Sequence, residues 1–285
     1  MLSERMPRMP RELLRGFERL SVPLLDWLNS NRTAKNLAQL FVRHWGATWI
    51  AAFGSRRWDL QGLDQLKGFR PPRGVILVSN HRSFFDMYLC CAVLYKNTDL
   101  LDRLMFPVRS RFFYDNPLGL LVNLSISGGA MWPPVFRDDR KTALNPIGTT
   151  QVHYALQESG CVLGYHPEGT RNKGPDPYEM LATRPGIGRL IKAAHPDTLI
   201  VPFWILGMGQ DFLKELAWSV SPPGPEVEIR ITYGKPLTVG DFTDREERTA
   251  MDLAEEVMGI LRKLGESDRQ RRIDRGLLPK PGDAA

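Results

Sequence analysis

The chain has 285 residues, 42% of them hydrophobic and 25% charged, enough for one large or two small domains, and its composition excludes a disordered or collagen-like protein. Three cysteines, Cys90, Cys91 and Cys161, cannot all pair within one chain, which excludes a disulfide framework and fits a reducing cytoplasm. The formal charge of +6 is unevenly placed: residues 1–58 hold ten Lys and Arg side chains against four acids, while the remaining 227 residues hold 28 of each sign.

A basic arm on a neutral body predicts an anionic partner for the arm, a membrane surface or a nucleic acid. The arm's apolar residues, Leu13, Leu14, Phe17, Leu20, Leu24, Trp27 and Leu28, then Leu37, Leu40, Phe41, Trp45, Trp49, Ala52 and Phe53, recur at steps of three and four. That spacing predicts two amphipathic helices. Their break is expected at Pro23 or in Asn29-Ser30-Asn31, where Ser30 or Asn31 would cap the second helix. No run reaches the ~18 apolar residues needed to cross a bilayer, and no signal-peptide core follows the Arg-rich start. Tryptophans with flanking arginines fit an interfacial helix pair lying on a membrane. The competing reading is a pair packed on the body as core. Nucleic acid is set aside, because the aromatic residues fall at helical spacing rather than forming a stacking platform.

From residue 74 short apolar strands alternate with helical segments. Gly74 to Ser79, Leu104 to Val108, Cys161 to Tyr165, Leu199 to Leu206 and Val227 to Tyr233 read as strands. Helices are expected through about Tyr95, over Thr142 to Glu158 and Gly186 to Ala194, and from a Thr243 cap to Gly265, with a frayed polar tail beyond. The pattern predicts an α/β fold with a mixed, largely parallel sheet flanked by helices, here residues 59–285, preceded by the docking element 1–58.

The chemistry begins where the first of these strands ends, in Asn80-His81-Arg82-Ser83-Phe84-Phe85-Asp86. A histidine at a strand's carboxyl end lies at the sheet edge where α/β proteins bind ligands. On a continuous helix two positions five apart differ by about 140° and cannot face each other. His81 and Asp86 meet only if the histidine lies in the turn and the aspartate in the helix's first turn. Asp86 then accepts the Nδ1 proton and leaves Nε2 free as a base. A second group, His166-Pro167-Glu168-Gly169-Thr170-Arg171, follows another buried strand and adds a carboxylate, a glycine that lets backbone approach a ligand, and an arginine suited to phosphate.

Together these segments resemble the glycerolipid acyltransferase family, whose members include the 1-acylglycerol-3-phosphate and glycerol-3-phosphate acyltransferases. The family's first motif, Asn-His-x-Ser-x-x-Asp, is matched at every defined position by Asn80, His81, Ser83 and Asp86. The third, Pro-Glu-Gly-Thr-Arg, is complete in Pro167 to Arg171, and the fourth is similar to Leu199-Ile200-Val201-Pro202. The N-terminal helices resemble the membrane-docking helices of some bacterial members. The second motif departs from the pattern: Gly128-Gly129 and Val135-Phe136 are followed by Arg137 and Arg140, with Pro133 and Pro134 interrupting the strand, so the phosphate-binding arginine is either of the two. Where the family often has lysines before a glycine, only Arg184 supplies charge.

The resemblance implies transfer of a fatty acyl group from acyl-CoA or acyl carrier protein to lysophosphatidic acid, giving phosphatidic acid, at the cytoplasmic membrane face. In that reading His81 is the base and Asp86 orients it. Arg171 with Arg137 or Arg140 holds the acceptor's phosphate, and Glu168 organises the arginine or the acceptor. Amides near Gly169 and Thr170 would stabilise the oxyanion, and Asn80 and Ser83 support the motif. No metal and no organic cofactor is implied. The alternatives are another lipid acceptor, a thioesterase, or a non-catalytic membrane lipid-binding protein.

Overall fold

The computed structural model describes residues 6–209, 211–221 and 224–279, apart from the side chains of residues 49, 50, 53, 212, 216 and 219. The arm consists of α1 (Glu18–Ser30), α2 (Arg32–Phe41) and α3 (Ala47–Gly54), the last two joined by a π-helical turn over Val42–Gly46. Extended backbone at Asn31 makes the break, and the Asn31 side chain accepts from the Ala34 amide at 3.0 Å, a helix cap. Pro23 lies inside α1 rather than ending it. The side chains of Trp49 and Phe53, expected on the apolar stripe, lie outside the described residues.

The body follows as β1 (Trp58–Gln61), β2 (Val75–Ser79), α4 (Asp86–Asn97), β3 (Arg103–Met105), β4 (Val108–Arg109), α5 (Ser110–Phe113) and α6 (Pro117–Ser127). Then come β5 (Pro134–Val135), α7 (Asn145–Leu156), β6 (Cys161–Tyr165), α8 (Gly186–Ala193), β7 (Leu199–Leu206), α9 (Phe212–Val220), β8 (Ile229–Tyr233), β9 (Leu237–Thr238) and α10 (Ala250–Asp274). The main sheet has the order β1-β8-β7-β2-β6-β3, with β9 beside β7. Every pair is parallel except β7 with β8 and with β9. β2 and β7 are buried throughout their length, which is why both read as continuous apolar runs rather than alternating ones. β2 lies between β6 and β7 with Val78 opposite Tyr165 and Ser79 opposite Phe203. This register brings the segments after residues 79, 165 and 206 out at one edge.

Three expectations differ from the structure. The strand expected over Leu104 to Val108 is divided between β3 and β4, because Pro107 has no N–H for a ladder; the Phe106 and Val108 amides donate to the Ala130 and Pro133 carbonyls. The last helix begins not after Thr243 but after Thr249, which forms a capping box with Asp252. Asp244 has φ +54°, incompatible with a helix start. Nor does the tail fray at Gly265. Asp268, fully buried, accepts from Arg230 Nε at 3.1 Å and from the Tyr178 hydroxyl at 2.9 Å, and it fastens α10 to β8.

The arm shares the body's core through Leu14, Val22 and Leu25, all fully buried. Ser21 Oγ donates to the Tyr114 carbonyl at 2.7 Å and Asn29 Nδ2 to the Gly129 carbonyl at 2.9 Å. Gly128 and Gly129 both have positive φ, and a Cβ at Gly128 would lie 2.7 Å from Val42 Cγ2. The glycine pair is needed for the close approach of the arm.

Candidate active site

β2 is followed by Asn80, whose side chain acts as one more rung of the sheet: Nδ2 donates to the Ile205 carbonyl at 2.8 Å and Oδ1 accepts from its amide at 2.9 Å. The chain then leaves the sheet as a turn, and α4 opens at Asp86. The Asp86 carboxylate caps that turn, with Oδ2 accepting from the Arg82 amide at 2.8 Å and the Ser83 amide at 2.7 Å. The same oxygen lies 3.2 Å from His81 Nδ1. Ser83 Oγ donates to the Gly209 carbonyl at 3.1 Å, fastening the turn to the segment after β7. His81 and Asp86 thus meet as turn and first helical residue, which two positions on one helix could not do. With a carboxylate facing Nδ1, the proton resides there and Nε2 is left as an acceptor.

His81 stacks on His166, ring centroids 3.9 Å apart and planes within 8°. His166 Nδ1 lies 3.0 Å from the Asn80 carbonyl, so His166 donates there and is held in place by β2. Burial, joined by the charges of Arg171 and Arg109, lowers the His81 pKa to about 4. Burial pushes Asp86 up to about 7, against His166, the two backbone amides and Arg171. Burial and then His81 lower His166 to about 3. At neutral pH both rings are uncharged, and His81 can accept a proton.

The third motif starts where β6 ends. Gly169, at φ +67°, closes a turn in which its amide donates to the His166 carbonyl at 2.9 Å. The Gly169 amide is therefore occupied and is not an oxyanion donor in this geometry, whereas the Thr170 amide donates to none of the described residues. Glu168 is placed differently from the acceptor contact expected of it. It is buried, its Oε1 accepts from the His81 amide at 2.9 Å and its Oε2 from the Leu181 amide at 2.8 Å. A carboxylate with both oxygens occupied and no exposed surface does not reach a phosphate; it fixes the backbone of His81. The Asn172 amide, donating to the His81 carbonyl at 2.8 Å, does so from the other side.

Arginines gather beside this turn. The charges of Arg137, Arg171 and Arg184 all act on Arg109 and, after burial, lower its pKa, and the charges of Arg171 and Arg109 act on His81. Of the two arginines left open by the sequence, Arg137 belongs to this cluster. Arg140 is tied to Asp138 by two bonds of 3.0 Å, Nε to Oδ1 and Nη2 to Oδ2. Arg109 is the residue that the sequence reading missed. It ends β4, which pairs with β5 through Val108 opposite Pro134 and Arg109 opposite Val135, and this short ladder brings it beside Arg137. Cys90, Cys91 and Cys161 are buried thiols with pKa values raised by burial, unsuited to nucleophilic attack.

A family model described as Acyltransferase matches residues 61–206, more than half of the chain, and this span contains His81, Asp86 and every arginine of the cluster. No curated protein matches the chain.

Proposed function

The chain belongs to the acyltransferase family of the glycerolipid acyltransferases, enzymes that transfer acyl groups in lipid metabolism, and from that premise we propose that it moves a fatty acyl group from acyl-CoA or acyl carrier protein to the hydroxyl of lysophosphatidic acid. The observation that carries this reading is a neutral His81, held by Asp86 at 3.2 Å, beside the cluster of Arg109, Arg137, Arg171 and Arg184. A base next to an anion clamp suits an acceptor with both a hydroxyl and a phosphate. Water would need no clamp, which speaks against a thioesterase.

In this mechanism His81 Nε2 takes the proton of the acceptor hydroxyl while its oxygen attacks the thioester carbonyl. Asp86 balances the imidazolium that forms. The tetrahedral oxyanion, facing the Thr170 amide, collapses with cleavage of the carbon–sulfur bond, and the departing thiolate takes the proton from His81. The products are the acylated lipid and a free thiol, with no metal and no organic cofactor in the sequence of steps.

The arm supplies the membrane contact in this proposal. The outward side of α2 carries Leu37, Leu40 and Phe41, each at least half exposed, followed by Trp45. Its inward side carries Lys35 and Gln39. Apolar groups outside and polar groups inside suit a helix whose outer solvent is lipid. The basic excess of residues 1–58 favours an anionic surface, here the cytoplasmic face, with peripheral or monotopic attachment. Thiol release from palmitoyl-CoA, measured with and without lysophosphatidic acid and with the lipid product followed by mass spectrometry, tests the reading. Acceptor-dependent release with phosphatidic acid formed is the expected result. Acceptor-independent release would make the protein a thioesterase, and equal turnover by His81→Ala would remove the mechanism.

A further inference from the structure

At the opposite end of the sheet from the catalytic turn, where β3 and β6 begin, a cavity of about 310 Å3 lies between the arm and the body. Its volume falls at the lower end of the range of small-molecule sites, roughly 300–1,000 Å3. The arm contributes Asn29, Arg32 and Lys35 to its lining, and the body contributes Arg103, Glu158 and Cys161. Lys35 is only 3% exposed, yet among the described residues its ammonium donates a single hydrogen bond, to Asn29 Oδ1 at 2.6 Å. An ammonium has three N–H donors, so two are left without a protein acceptor inside the protein, where such groups are normally satisfied.

The charges around it compound the imbalance. Arg103 is ion-paired with Glu158, the one carboxylate among the described lining residues. Among the described residues Arg32 and Lys35 have no carboxylate of their own in the cavity, and both lie in the first turn of α2, where the helix dipole opposes positive charge. Burial, with the Arg103 charge adding to it against Cys161, lowers the Lys35 pKa to about 7. Replacing Lys35 by an apolar residue of similar length would relieve all of this, and the chain nevertheless places a lysine there.

We propose that this cavity is a binding site for a small free oxyanion of the phosphate class, held by Lys35 and Arg32 at the junction of arm and body. An anion supplies acceptors for the two unmatched donors and counter-charge for the helix start. The anion enters from water rather than as the headgroup of a bilayer lipid. At about 100° per residue, Leu37, Leu40 and Phe41 lie roughly 140–240° around α2 from Lys35, so the side of the helix that faces lipid in the proposed docking is the side away from the cavity. A bound anion would join residues of α2 to the starts of β3 and β6 and stabilise the arm's seat on the body.

The test is calorimetric titration of inorganic phosphate, in lipid-free buffer, into the full chain carrying Arg109→Ala and Arg171→Ala, which reduces competition from the catalytic turn. Saturable binding is expected, weakened at least about tenfold by adding Lys35→Met, the effect of losing charge-assisted bonds. Should Lys35→Met fail to give a cooperative melt, Arg32→Gln, at an exposed position, is expected to weaken binding several-fold on the same background. The proposal is overturned if phosphate gives no binding heat with Lys35 and Arg32 intact, or if neither substitution changes the affinity. It is equally overturned if phosphate is silent while binding to phosphatidylcholine vesicles containing phosphatidic acid depends on Lys35, since the ligand would then be a lipid headgroup.

Discussion

At the far ends of β2, β6 and β7 the molecule takes polar and charged groups out of water and gives them partners. Along the outer side of the arm it leaves large apolar side chains in water. Asp86 and Glu168 are both 1% exposed and between them accept from four backbone amides. Leu37, by contrast, is 64% exposed and Trp45 66%. In the proposed catalytic turn the groups assigned the chemistry also hold the backbone, so function and stability are coupled. In the arm, packing and the proposed docking are divided between faces of one helix: Gln39, buried, accepts from the Tyr95 hydroxyl and the Leu104 amide and ties α2 to the body, while the exposed face is free of structural duty.

The largest effects should expose that coupling. His81→Ala removes the proposed base and is expected to lower the rate about 10²- to 10⁴-fold with little change in melting temperature, because the Asp86 bonds to the Arg82 and Ser83 amides survive. Asp86→Ala should lose comparable activity and also about 2–4 kcal/mol of stability, since two buried amides lose their acceptor. Steady-state rates and chemical denaturation of the pair check this. Equal stability of the two variants would show that the turn does not depend on Asp86.

The coupling also has a pH signature. Burial raises the Asp86 pKa above its unfolded value of about 3.9, to about 7. The stability this group contributes is therefore fully present below about pH 4 and lost as pH rises through about 7. The proposed mechanism needs the ionised form, so kcat/KM should climb over the range in which that contribution disappears. His81 and His166, lowered, act in the opposite sense on stability, and comparison with Asp86→Asn cancels most of their effect. The Asn variant keeps an oxygen acceptor and never ionises. Its stability relative to the parent should rise by roughly 2–4 kcal/mol between pH 4 and 8. A flat difference would mean that the amides and arginines hold Asp86 ionised at all these pH values.

The arm should behave in the opposite way. Leu37→Glu with Leu40→Glu is expected to reduce partition onto vesicles of phosphatidylcholine and phosphatidylglycerol at least about tenfold, while stability stays within about 0.5 kcal/mol, because neither side chain is in the core. A large fall in melting temperature, with vesicle binding intact, would reverse the roles of the two faces.

The same contrast explains what was legible in the sequence. β2, β6 and β7 were readable because strands buried on both faces are written as unbroken apolar runs, and His81 and Asp86 because their meeting depends on a turn within six residues. β1 was not. It has four half-exposed or exposed residues and is defined by pairing with β8, far along the chain. α6 is apolar nearly all round and carries no amphipathic signal. The roles of Gly128 and Glu168 were unreadable for a related reason: their partners, Val42 on the arm and the amides of His81 and Leu181, are assembled only by tertiary closure.

Arg109 and Arg137 belong to that last class, and they give the smallest and most discriminating prediction. Sequence spacing left Arg137 and Arg140 equivalent, three residues apart on an irregular segment. In the structure they differ in what they face: Arg137 acts on Arg109, whose own charge reaches His81, whereas Arg140 is joined to Asp138 and exposed. Arg137→Ala should raise KM for a phosphate-bearing acceptor about tenfold, the loss of a charge-assisted contact at an exposed site, with a smaller change in kcat. Arg140→Ala should change KM by less than about twofold, since an exposed ion pair contributes little. An acceptor without a phosphate should show no difference between the two variants. If it does, Arg137 shapes the turn around His81 rather than holding the anion, and the arginine cluster would then be part of the catalytic turn's structure, as Glu168 is.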